Sequence, residues 1–162
     1  MTDPKGYSRL QIALHRLAAL LIVHQYLFKD AISAARDAAV KGMESAFNPL
    51  VLAHLAGGAL VLVFALWRPS IRAGRGAPET LGDSAVQRAL AKATHLGLYA
   101  VMILMLISGS VAWFGGVQAA AQGHNVMEVA LLALVALHVV GAIYHHFLLK
   151  HGLINRMRRA EG

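Results

Sequence analysis

Four apolar segments, at about residues 10–28, 49–67, 93–114 and 124–149, dominate this 162-residue chain. Each is long enough, or nearly so, to cross a hydrocarbon layer about 30 Å thick, which takes about 20 helical residues. Inside lipid every backbone N–H and C=O must be satisfied within the protein, so a span is either a helix or a strand of a closed barrel. No strand-like alternation, internal repeat or low-complexity tract competes with helices here. The expected fold is all-α: one membrane domain, residues 1–162, built as a four-helix bundle. Asn48 is expected to cap the second helix, with Pro49 in its first helical position.

Composition agrees with lipid as the solvent. Charged residues make up 14% of the chain and hydrophobic ones 57%, whereas a soluble domain carries about 25% charged residues. The absence of cysteine excludes disulfides, thiolate zinc sites, cysteine-held iron–sulfur clusters and covalently attached c-type haem. The polar N-terminus MTDPKGYSRLQ has no signal-peptide pattern of apolar core and small-residue cleavage site.

The net charge of +7 is distributed by topology. Lys5, Arg9, Arg16, Arg68, Arg72, Arg75, Arg88, Lys92, Lys150, Arg156, Arg158 and Arg159 fall on one side of four spans, and only Lys29, Arg36 and Lys41 on the other. The positive-inside rule then puts both termini in the cytoplasm. Some attraction to anionic headgroups follows. No base-stacking aromatics interleave with these charges, so nothing supports a nucleic-acid partner.

Nine histidines are present, and most lie in the apolar segments. A buried imidazole without a partner costs several kcal/mol. By depth, His15 on the first span should match His138 on the fourth, and His54 on the second should match His124 on the fourth. His124 and His138 are 14 residues apart, about 21 Å along a helix and only about 40° around it. One face of the fourth span thus offers an imidazole at each of two levels. Two stacked haems, each held by a histidine pair, suit that pattern. Gly57, Gly58 and Gly141 offer room for a flat macrocycle beside the ligands. Helix-bridging hydrogen bonds are the alternative for any single histidine. Glu128 is the one acid in the spans, so a carboxylate-rich metal site has no ligands.

The remaining histidines carry weaker expectations. His145, seven residues after His138 and about 20° off its face, is a candidate proton-handling group for a quinone or a haem propionate. His95 is a candidate contact for a propionate or quinone. Arg9 and Arg16 could neutralise propionates or snorkel to headgroups. His24 reads as an outer-interface residue, and His146 and His151 as solvent or headgroup contacts.

The segments YSRLQIALH (residues 7–15), HLAGG from His54, THLGLY from Thr94, and His124 with His138 followed by YHHFLLK resemble the bacterial cytochrome b561 family of four-helix dihaem membrane proteins. The likeness covers about residues 7–157. It implies two b-type haems ligated by His15, His54, His124 and His138, with iron as the metal. It also implies a multi-pass location in the bacterial inner membrane. Family members exchange electrons with the quinone pool, ubiquinone being the expected substrate, and superoxide oxidation linked to ubiquinone reduction is one such activity. Three departures stand out: Arg16 where the family often has tryptophan, His151 after Lys150 where aspartate is commoner, and a short, uncharged outer connection at residues 115–123.

The resulting expectation is a dihaem electron carrier, a quinone-linked oxidoreductase with His145 assisting. The alternative is a haem-bearing or anchor subunit of a larger redox complex. Partners compatible with either are a quinone, membrane lipid, a redox protein and a second copy of the chain.

Overall fold

A computed structural model describes residues 6–44, 46–76 and 84–160; Lys5, one of the flanking basic residues, lies outside them. All regular structure among the described residues is helical: α1 (Arg9–Leu27), α2 (Lys29–Val40), α3 (Pro49–Arg75), α4 (Ala85–Phe114), α5 (Gln118–Ile143) and α6 (Leu153–Arg158), with a π-helical turn (Tyr144–Leu148) continuing α5. Helices α1, α3, α4 and α5 with its π turn are long and apolar enough to span a membrane.

Local sequence explains the starts. Ser8 caps α1 in a reciprocal box, its hydroxyl accepting from Gln11 N at 3.2 Å while Gln11 Oε1 accepts from Ser8 N at 2.9 Å. Ser84 and Gln87 repeat the arrangement on α4, each box satisfying orphan N–H groups of a first turn. Asn48 Oδ1 accepts from Leu50 N at 2.9 Å, and Pro49 opens α3.

The helices outrun the apolar segments. α3 continues through Arg75 rather than ending near residue 67, and α4 begins at Ala85 rather than near residue 93. Hydropathy reports where lipid is, whereas a helix runs until its caps, so both extend past the apolar window at the basic end. α5 begins at Gln118, six residues before His124. That shrinks the α4–α5 connection to Gly115, Gly116 and Val117 and sets His124 inside the span. Gly116 makes the turn with φ +66°. The segment between α1 and α3, read from sequence as a plain connector, contains helix α2.

α1 packs along α3 and α4 packs along α5, while the backbones of α1 and α5 rarely approach. Gln11 Nε2 donates to Gly76 O at 3.3 Å and Arg16 to Met157 O at 3.1 Å, tying the start of α1 to the ends of α3 and α6. At the opposite end Arg36 meets Gln118 Oε1 at 2.6 Å. There Glu128 accepts from Lys29 Nζ at 2.5 Å, and its backbone carbonyl accepts from the Tyr26 hydroxyl. The hydrogen bond that Lys29 donates to Glu128, then the carboxylate's charge, holds the Lys29 ammonium above the usual lysine pKa. Among the described residues the buried apolar set is small (Ile12, Leu14, Val61, Ala65, Ala112, Ala121 and Leu131), and no large side chain is wholly enclosed. Small residues Gly57, Val61 and Ala65 line the buried stripe of α3.

Candidate functional site

At the basic end of the bundle, His15 and His138 face each other with ring centres 6.0 Å apart and planes at 67°. His95 of α4 also meets His138, ring centres 5.1 Å apart, and lies within electrostatic reach of His15. His95 Nδ1–H donates to Ala91 O at 2.7 Å, which leaves its Nε2 lone pair exposed. Arg68 is the cation whose field reaches His15, His95 and His138 alike. It lies 14 residues after His54, the same spacing that separates His124 from His138, so α3 repeats the two-level pattern with a cation at the lower level. That spacing was visible in the sequence, where Arg68 reads only as a flanking charge.

At the other level His54 has His24 and His124 within electrostatic reach. His124 Nδ1 is 2.8 Å from Met105 O and 3.2 Å from Ser108 Oγ. A carbonyl only accepts, so Nδ1 carries the proton and Nε2 is the free donor atom. This is the orientation a second-sphere carbonyl gives a metal-binding imidazole. The ring rests on Gly109, where an added Cβ would lie 3.1 Å from Cε1. Gln25 Nε2 donates to His54 O at 3.0 Å and fills the notch left by Gly57, where an added Cβ would collide with that amide. His54 Nδ1, His24 Nδ1 and Gln25 Oε1 are buried without partners.

His24, read from sequence as an outer-interface residue, lies at this outer level within electrostatic reach of His54, and its Nδ1 is buried. It is nine residues from His15, about half a turn round α1. His15 faces His138 of α5, whereas His24 and Gln25 face His54 of α3. His145 and His151 also meet, Nδ1 to Nδ1 at 3.3 Å and ring centres 5.4 Å apart. The chain returns through the π turn, Lys150 at φ +55° and Gly152 at φ +63°. π turns and left-handed non-glycine residues concentrate at functional sites. Arg9 and Arg16 line a groove with Arg158, each at least about 100° around α1 from His15. His146 meets Phe147 edge to face, ring centres 4.7 Å apart.

A profile of the prokaryotic cytochrome b561 family matches residues 6–160. The chain belongs to that family. Cytochrome b562 of Cereibacter sphaeroides is 36% identical to it over 162 residues, covering 98% of this chain and 99% of the relative. No solved structure matches it. This cytochrome b561-family member is a multi-pass transmembrane b-type cytochrome, and the residues present fit such a haem. Two imidazoles bound through Nε2 to one iron, at about 2 Å per bond, have ring centres about 6 Å apart, matching His15 and His138. The 5.1 Å between His95 and His138 is too short for that arrangement, and α4 packs too closely on α5 to admit a macrocycle. Among the described residues no three-ligand His/Cys/Asp/Glu cluster competes for another metal.

Proposed function

We propose that the chain carries two b-type haems, an inner one between His15 and His138 and an outer one between His54 and His124, and relays electrons between the quinone pool and a second redox partner. The observation carrying this reading is the 6.0 Å opposition of His15 and His138 across the gap between α1 and α5. The free Nε2 of His124 supports the outer pair. When bound, a bis-histidine haem supplies one-electron redox chemistry with no open coordination position.

The side chains do the rest. Met105 O and Ser108 fix the His124 ring, and Gly109 admits it. Arg68 supplies positive charge where the inner group's carboxylates need it. Quinol oxidation or quinone reduction moves two protons, and the His145–His151 pair is suited to that work. Of two Nδ1 atoms 3.3 Å apart, one donates and the other accepts, so a proton taken at one ring can be stabilised by the other. The basic flanks favour this end as cytoplasmic, in the bacterial inner membrane. Ubiquinone is the proposed substrate. Superoxide oxidation has less support, because the three residues between α4 and α5 form no loop there from which an outer substrate site could be built.

The test is haem stoichiometry of the purified protein, followed by quinol reduction of its oxidised form. Two haems per chain, reduced by ubiquinol, are expected. Zero haems after haem-supplemented expression would end the proposal.

Two sets of variants separate ligands from neighbours. His24→Ala and His95→Ala should each retain two haems, whereas His15→Ala and His54→Ala should each keep one. Loss of a haem in His24→Ala would reassign the outer pair. Gly109→Val should displace the His124 ring, which a Cβ already presses at 3.1 Å, and lower outer-haem occupancy while the inner absorbance persists. Two intact haems in Gly109→Val would show that the ring does not need that contact.

A further inference from the structure

We propose that Arg9, Arg16 and Arg158 form a binding site for the phosphodiester headgroup of an anionic membrane lipid, whose acyl chain lies along α1. Arg9 and Arg16, two turns apart on α1, and Arg158 from the C-terminal end of α6 line one groove of about 330 Å³ together with Ile12 and Ala13. Arg16 also anchors α6 by donating to Met157 O. Among the described residues no acid lines the groove, and the Lys29–Glu128 bridge is far away at the other end of the bundle. Like charges converging without a carboxylate repel unless an anion lies between them.

The groove points away from the haem face. Arg9, Ala13 and Arg16 follow a one-sided helical spacing centred about 130° around α1 from His15, so a propionate of a haem held by His15 is not the natural occupant. Continuing that spacing towards the other end gives Leu20 and Leu27, 66% and 69% exposed. One face of α1 thus places an arginine cluster above a bare apolar track, the complement of an amphiphile with an anionic head. A soluble anion would need the cluster but not the track. Basic pockets between helices at a membrane surface bind such headgroups. The site depends on α1 spanning the bilayer and not on the haem assignment.

Native mass spectrometry of the detergent-purified holoprotein, titrated with phosphatidylglycerol or phosphatidylcholine, tests it. Phosphatidylglycerol should be retained preferentially. Arg9→Gln/Arg158→Gln should weaken its retention roughly 30-fold, the combined effect of neutralising two cations that face the headgroup, while Lys41→Gln at the opposite end should not. Arg158→Gln should keep full haem content, and millimolar inorganic phosphate should fail to displace the lipid. Equal retention of the two lipids, an equal loss in Lys41→Gln, displacement by inorganic phosphate, or haem loss in Arg158→Gln would each overturn the proposal.

Discussion

Alanine at position 138 is expected to lower b-type haem from two per chain to one, and alanine at both 124 and 138 to abolish it. Helix α5 contributes to both levels, so the double change removes one ligand from each proposed pair while leaving α1 and α3 untouched. The remaining imidazoles cannot substitute in place. His95 is held by Ala91 O and sits on α4, which packs along α5. His24 lies on the α3 side of α1. A ligand at about a thousandfold excess over its Kd adds ~4 kcal/mol of linked stability. Thermal unfolding of the double variant should therefore occur well below that of the parent. Pyridine-haemochrome assay and circular dichroism on the same samples check both effects. Unchanged haem in a folded double variant would return the histidines to helix bridging.

The second large effect is kinetic. His145→Ala should slow reduction of the oxidised protein by ubiquinol 10²- to 10⁴-fold, the usual worth of a positioned general base, with two haems and an unchanged absorption spectrum. His151→Ala should show a smaller loss and a shifted pH–rate profile, since it acts on the proton through His145 at 3.3 Å. Stopped-flow reduction across pH separates the two. Parental rates in His145→Ala would move the quinone site elsewhere, leaving the haem assignment intact.

The spans were legible because lipid imposes a long apolar run, and Asn48–Pro49 because capping is local chemistry. The 14-residue spacing of His124 and His138 was legible too, since it is a property of one helix. What escaped depends on how helices are rotated against each other. His24 comes within reach of His54 only because that side of α1 packs on α3, and His151 meets His145 only through the π turn and the left-handed Lys150. Helix α2 escaped because its polar, alanine-rich residues give no hydropathy signal. The early start of α4 was readable from the Ser84–Gln87 box, four residues that satisfy the first turn.

The small buried apolar set has a cellular corollary. With few side chains to lock α1 against α5, much of the bundle's cohesion passes to whatever the histidines grip. Nascent chains made during iron or porphyrin starvation should therefore be preferred prey for membrane proteases. Pulse-chase lifetimes should lengthen when the porphyrin supply is restored, so the quantity of this cytochrome in a cell becomes a gauge of tetrapyrrole sufficiency.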